Sequence, residues 1–298
     1  MAKAPSGTQV YMGTFRIDVA PDSLIELARA EVIKHPSELA LPFLEKRYVL
    51  FGDESVAPDI VTYGMVCFDR LSHANSATFA FQRAISDAGV PADSRVHSRE
   101  LFSGEAREKT PWRHLTENET WQLGERLIEG LRDHYARFFL GVVYKDTFPK
   151  QIPNGPGRSV QIKNEHCYAF GFISAAAAFS HGIRLQTGEK IRCLVFVDPQ
   201  AAKATFWGLG HVQIQQLMNS TGLTPVPGGP HDHLLLDAAD LFAYSAARAL
   251  SEAPARNKAM CERILSITRP GICRHFWAAE GIRPKMAERL GLGSGLGR

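Results

Sequence analysis

Residues 47–68 read RYVLFGDESVAPDIVTYGMVCF, and the fold follows from how this stretch divides. Arg47 to Ser55 and Ile60 to Phe68 are rich in Tyr, Val, Leu, Ile and Phe, whose branched or aromatic side chains suit a pleated surface. A short polar link carrying Pro58 and Asp59 separates them. Two such runs joined so briefly predict an antiparallel hairpin. Asp53 and Glu54 break the apolar run of the first strand. An acid in that setting costs free energy unless it is paired or binds a metal. Successive strand residues point to opposite faces, so one of the two should face a given site, and Asp53 is the favoured one. Alternatively both sit at the strand end and face the turn in water.

Downstream, His73 to Ala88 predicts a helix ended by Gly89-Val90-Pro91, and Arg95 to Leu101 a short strand. Thr116 to Tyr135 predicts a helix opened by a capping box, Thr116 with Glu119. Arg137 to Tyr144 is a further strand, followed by a Pro- and Gly-rich loop. Asn164 to Gln186 predicts a long helix with a small-residue centre, and Lys190 to Val197 a buried strand that stops at Asp198-Pro199. Ala201 to Ser220 reads as helical despite two glycines, and Leu234 to Leu250 as a core helix. Residues 1–46 read as an N-terminal extension with helical spacing from Asp22 to Lys34, and residues 251–298 as a basic, helical, peripheral C-terminal tail. A hairpin followed by alternating strands and helices implies an α/β domain with a mixed β-sheet flanked by helices, antiparallel at its start and parallel later. Ligand sites in such sheets favour the carboxyl ends of the parallel strands.

The acids fall where that rule places a site. Asp198 closes a buried strand, although an Asp-Pro pair is also an ordinary turn opener. Asp237 and Asp240 lie in LLLDAADLFAYSAARAL, a helix apolar on nearly every side, and a spacing of three puts both on one face. One such aspartate is explained by a cap or an arginine partner; two favour a divalent cation. His97 and Glu100 face one site if their segment is helical and diverge if it is a strand. His231-Asp232-His233 resembles a metal cluster but sits in a turn without a second ligand set. Carboxylates suit Mg²⁺ or Mn²⁺ rather than zinc. Two such ions about 4 Å apart are a general device for phosphodiester hydrolysis. Carboxylates converging from a first strand, a later strand and a helix on a mixed sheet are the RNase H-type design.

Composition bounds the rest. With 298 residues, 45% hydrophobic and 22% charged, the chain can bury a sizeable core. No apolar run reaches the roughly 20 residues of a membrane span, and the first residues lack the apolar core of a signal peptide, so a cytoplasmic protein without a membrane partner is expected. The 5 cysteines form no CxxC pair and are expected as buried thiols. The formal charge of +3 decides little, but residues 251–298 hold 9 Lys and Arg against 4 Glu, and the 145–163 loop carries Lys145, Lys150, Arg158 and Lys163 against Asp146. Such zones suit a polyanion, or are simply solvated surface. No P-loop, GxGxxG after a strand or GxSxG occurs, which disfavours nucleotide-binding and serine-hydrolase readings.

Three stretches resemble the family catalogued as domain of unknown function 3800: Phe51-Gly52-Asp53-Glu54-Ser55, the His-x-x-Glu-Leu segment from His97 to Leu101, and the late helix with Ala239-Asp240-Leu241-Phe242-Ala243-Tyr244. The strand end at Asp198 is similar to that family's later acidic strand. Val56 and Asp237-Ala238 stand where the family has a glycine and a nearby glutamine. The resemblance spans residues 47–250 and implies an RNase H-like domain there with a nuclease role. The combined expectation is that Asp53, Asp198 and Asp240 ligate one or two Mg²⁺ or Mn²⁺ ions, with Glu54 or Asp237 completing the shell. His97 and Glu100 would position water or transfer a proton, and the basic loop and tail would contact the phosphates of DNA or RNA. A protein partner or a homo-oligomer is compatible with this. The rival expectations are a non-catalytic RNase H-like binding or scaffold module of a defence or mobile-element system, and a small-molecule phosphodiesterase.

Overall fold

The computed structural model describes residues 9–12, 15–18, 48–147, 151–153, 159–161, 164–187, 193–198, 223–228 and 233–275. The hairpin at its centre forms where the apolar pattern places it. Val49–Val56 pairs antiparallel with Ile60–Phe68, from Val49 against Phe68 to Val56 against Val61. In chain order these are β3 and β4, preceded by β1 (Gln9–Met12) and β2 (Phe15–Asp18). Then follow α1 (Leu71–Asp87), α2 (Ser98–Phe102), α3 (Gly104–Arg107), α4 (Glu117–Asp133) and β5 (Arg137–Tyr144). After the small hairpin β6 (Gln151–Pro153) and β7 (Ser159–Gln161) come α5 (Asn164–Thr187), β8 (Cys193–Val197) and β9 (Leu223–Pro227). The described chain closes with α6 (His233–Leu250), α7 (Lys258–Thr268) and β10 (Gly271–His275).

Among the described residues one mixed sheet of 8 strands runs β1-β2-β10-β5-β4-β3-β8-β9. Its central five are antiparallel from β5 through β4 to β3, then parallel from β3 through β8 to β9. The change of direction falls at β3, whose last four residues run past the carboxyl end of its parallel neighbour β8. α5 covers one face and α6 the other, with α1, α4 and α7 stacked outside α6. Burial on both sides explains why α6 is apolar around most of its circumference.

Both covering helices approach the sheet at glycines. A Cβ on Gly141 of β5 would lie 2.0 Å from the Gly171 carbonyl oxygen of α5. On the other face, a Cβ on Gly64 of β4 would lie 2.7 Å from the Phe242 ring and 3.1 Å from the Ala243 nitrogen of α6. Local signals fix the other boundaries. The capping box at Thr116 forms, with the Thr116 N–H donating to Glu119 Oε2 at 2.7 Å. Gly89, at φ +78°, takes the chain out of α1 through a conformation that side chains disfavour.

Three expectations are corrected. The segment expected as a strand over Arg95–Leu101 is extended only at its start and turns helical at Ser98. Backbone N–H groups that a strand would give to a neighbouring strand go instead to α6: Val96 donates to Asp237 and Ser98 to Asp240. The C-terminal tail expected from residue 251 is not peripheral as far as His275. α7 packs against α6 and α4, and β10 enters the sheet parallel to β5, with Cys273 buried. The N-terminal extension likewise contributes strands, since β2 pairs with β10 and β1 with β2. The helices expected over Asp22–Lys34 and Ala201–Ser220 lie outside the described residues. Cys67, Cys167, Cys261 and Cys273 are buried free thiols, as expected. Among the described residues no helix is long and apolar enough to cross a membrane.

Candidate carboxylate site

Strand alternation decides which acids can meet. Val49 and Phe51 pack into the core on the α6 side of the sheet, whereas Tyr48 and Leu50 pack on the α5 side. Continuing that alternation, Asp53 faces α6 and Glu54 faces α5. On β8, Phe196 packs on the α6 side and Val197 on the α5 side, so Asp198 returns to the α6 side. Gly52 is in register with Val197, which sets Asp198 beside Asp53. The third acid comes from above. α6 can descend to the sheet because β4 offers Thr62 and Gly64 under it, and the Thr62 hydroxyl donates to the Ala243 carbonyl at 2.8 Å. Asp240, one turn earlier on α6, is thereby held over the end of β3.

These side chains line one cavity of about 850 Å³ with Glu54, His97, Glu100, Asp237 and the arginines Arg95, Arg99 and Arg248. The cavity passes over the strand end, which is how Glu54 reaches it from the opposite face, next to Tyr168 of α5. The helical turn at Ser98 brings both His97 and Glu100 to the cavity. The His97 Nδ1 atom stands 3.7 Å from Asp240 Oδ2, with the histidine side chain 55% exposed. Of the sequence-expected cluster His231-Asp232-His233, the first two residues lie outside the described residues.

Burial and mutual repulsion dominate at the carboxylates. Burial is the main cause that raises the Asp53 carboxyl well above the ordinary aspartate range, and Asp240, Glu54 and Asp198 add to it. The Glu54 N–H donates to Asp53 Oδ1 at 2.8 Å and partly offsets this. Glu54 is pushed to about 7 from an ordinary 4.5, first by burial and then by Asp198 and Asp240, against hydrogen bonds that lower it. Asp240 is raised by burial, opposed by His97 and by the Ser98 N–H, which donates to its Oδ2 at 2.7 Å.

Asp237, the candidate for completing the ligand shell, is held by Arg95 and Val96. It is 2% exposed, and both its oxygens are engaged. Oδ1 accepts from Arg95 Nε at 2.7 Å and lies 2.7 Å from Arg95 Nη2, while Oδ2 accepts the Val96 N–H at 2.6 Å. The two aspartates on one face of α6 thus have different tasks. Asp237 anchors the 95–98 segment through Arg95 and Val96, and Asp240 anchors it through Ser98 while lining the cavity.

Arg95, Arg99 and Arg248 escaped the sequence reading. The Arg248 guanidinium lies 3.3 Å over the Tyr244 ring, one turn back on the same helix. The signal for Arg95 was indirect: a buried Asp237 needs a cation, but the partner lies 142 positions away along the chain. The basic 145–163 loop contributes few described side chains, and the chain beyond His275 lies outside the description, so the expected phosphate contacts there fall outside it too. Among the described residues no group of 3 or more His, Cys, Asp and Glu side chains stands ready in a ligating arrangement. The acids line one cavity together all the same. Their chemistry nonetheless fits a hard divalent cation: the donors are all oxygen, partly desolvated and mutually repelling. Comparison of the chain with protein-family models, with curated proteins and with solved structures returns no match.

Proposed function

We propose that this chain is a divalent-cation-dependent hydrolase of nucleic-acid phosphodiesters, built on an RNase H-like sheet of the kind implied by its resemblance to the domain of unknown function 3800 family. The observation that carries the reading is the convergence of Asp53, Asp198 and Asp240 on one cavity from a strand, a strand end and a helix. Structural acids are normally paired with bases; here burial and the neighbouring acids oppose ionisation of Asp53. Strained carboxylate groups of this kind cluster at functional sites. The sheet adds support, since a meander of three antiparallel strands is continued by two parallel ones, with Asp198 directly after β8 and Asp53 where β3 runs past the end of β8.

Asp53, Asp198 and Asp240 would hold Mg²⁺ or Mn²⁺, with Glu54 adjacent at the same strand end. A cation held there would neutralise the carboxylates and supply Lewis acidity at a phosphodiester. The chain's own residues do the remaining work. Asp240 is fixed by the Ser98 N–H at its Oδ2, so its carboxylate is held at the cavity rather than left to swing. His97, beside Asp240 and half in solvent, is placed to hold or release a proton toward the cavity mouth. Glu100, exposed on the same rim, can accept a hydrogen bond from an incoming water.

The test is cleavage of labelled single-stranded and duplex DNA and RNA with Mg²⁺, Mn²⁺ or EDTA, comparing wild type with Asp53→Ala. Cleavage that needs metal and is lost in the variant supports the reading. A folded wild type that cuts no polymer under any of these conditions refutes it.

A further inference from the structure

Arg95 is bound lopsidedly. Its partner carboxylate, Asp237, is 2% exposed, whereas the Arg95 side chain is 53% exposed and opens onto the carboxylate cavity. Asp237 occupies one edge of the guanidinium, through Nε and Nη2. The Nη1 edge remains for another acceptor. The backbone beneath is fixed as well: Val96 donates its N–H to Asp237 at 2.6 Å, and the buried Trp112 indole donates to the Arg95 carbonyl at 3.2 Å. A long, flexible side chain has thus been given one position at the edge of the acid set, where Asp198 and Asp240 add to the field of Asp237.

An ion pair that served only to close the loop onto α6 would not require an open guanidinium edge at the rim of the cavity. Planar guanidinium groups recognise the oxygens of phosphate through paired N–H donors. Donors fixed in advance lose little entropy when the anion arrives. We propose that Arg95 is the phosphate-gripping residue of this site. It would bind the non-bridging oxygens of the substrate's phosphodiester, and Asp237 would act as the positioning residue that aims it. This rests on the nucleic-acid reading given above, and it reassigns Asp237 from metal ligand to orienting partner. Arg99 and Arg248, on the same cavity wall, are secondary cations that the segment and α6 present without a comparable buried anchor.

The test uses the full chain and binding rather than turnover. Fluorescently labelled single-stranded DNA and RNA are titrated in Ca²⁺, and the dissociation constant is followed against salt concentration. Arg95→Gln is expected to weaken binding by about 10-fold or more and to make the salt dependence shallower by about one ion. The rise in melting temperature on adding Mn²⁺ should be unchanged, because Arg95 does not hold the cation. Arg95→Lys should restore part of the affinity, since the charge returns without the planar fork. Asp237→Asn should weaken binding while leaving the salt slope as in wild type, because the charge stays and only its aim is lost. The double variant Arg95→Gln with Asp237→Asn leaves no charge buried and guards against a simple folding defect. If folded Arg95→Gln, or the folded double variant, binds both polymers with wild-type affinity and salt slope, the assignment of Arg95 is overturned, and metal-dependent cleavage by that variant would leave the nuclease reading standing. If wild type neither binds nor cleaves any polymer, the nuclease reading itself falls, and this inference with it.

Discussion

The Thr62 hydroxyl donates to the Ala243 carbonyl at 2.8 Å, tying the second strand of the central hairpin to the middle of α6. Ala243 lies three residues beyond Asp240, and Thr62 is in register with Ser55, two residues beyond Asp53. The hydrogen bond therefore sets the height of Asp240 above the end of β3. Gly64, two residues on along β4, has no side chain to prevent that approach. Packing between a strand and a helix is what brings two acids 187 positions apart to one cavity.

Gly64→Ala should raise α6 off the sheet. The added methyl would meet the Phe242 ring at 2.7 Å and the Ala243 nitrogen at 3.1 Å, and backbone cannot move aside as a flexible side chain does. Overpacking of this kind costs about 1–3 kcal/mol. The expected result is a folded protein with a melting temperature lower by roughly 2–12 °C and a much smaller Mn²⁺-induced stabilisation. Unchanged stability with full metal response would show that the close approach does not set the site.

Asp240→Asn should keep the fold and remove metal-dependent cleavage. The amide oxygen can still accept the Ser98 N–H that Asp240 Oδ2 accepts now, so the anchor of the 95–98 segment survives. What disappears is the charge. Circular dichroism should match wild type, and cleavage should fall by at least about 100-fold. A variant that cuts DNA or RNA as well as wild type would remove Asp240 from the proposed ligands.

Much of this arrangement was legible in the chain, for physical reasons that differ from element to element. The hairpin over residues 47–68 was readable because β-rich runs of fixed length flank a Pro-Asp link, and that information is local. The α4 start was readable because Thr116 and Glu119 satisfy each other's backbone. Asp53, Asp198 and Asp240 stood out because each interrupts or ends an apolar run. The helical turn at Ser98 was not readable: its backbone partners are aspartates on α6, and no local pattern announces a partner 142 positions away. The same distance hid Arg95, the partner of Asp237. β10 was missed because a 5-residue strand containing Arg274 and His275, paired to β5 across more than a hundred residues, has too short a pattern to stand out among basic neighbours.

Asp53→Asn should trade function for stability. Burial and three neighbouring acids oppose ionisation of Asp53, so a neutral amide relieves repulsion in the metal-free protein. The Glu54 N–H keeps an acceptor in the amide oxygen. In EDTA at pH 8 the variant should melt above wild type by a few degrees, since about 1 kcal/mol corresponds to roughly 2–4 °C in a domain of this size. It should lose cleavage and most of the Mg²⁺-induced rise in melting temperature. A variant that melts below wild type in EDTA would mean that the Asp53 charge is compensated after all.

The same repulsion makes the stability of the metal-free protein depend on pH, with a sign that the raised values fix. An unfolded Glu54 loses its proton near 4.5, whereas in the fold it holds the proton up to about 7. Between those values the folded state binds more protons than the unfolded state, so stability falls as pH rises across that window and the loss is complete above it. Asp53 and Asp240, also raised, act in the same direction. A divalent cation binds the deprotonated carboxylates, and its stabilisation grows with the ratio of its concentration to its dissociation constant. Thermal melts in EDTA should therefore show a lower midpoint at pH 8 than at pH 5.5, and millimolar Mg²⁺ or Mn²⁺ should raise the midpoint more at pH 8 than at pH 5.5. In Asp53→Asn with Glu54→Gln both differences should shrink together. A metal response that is equal at the two pH values, or that survives in the double variant, would separate cation binding from these carboxylates and place it elsewhere in the chain.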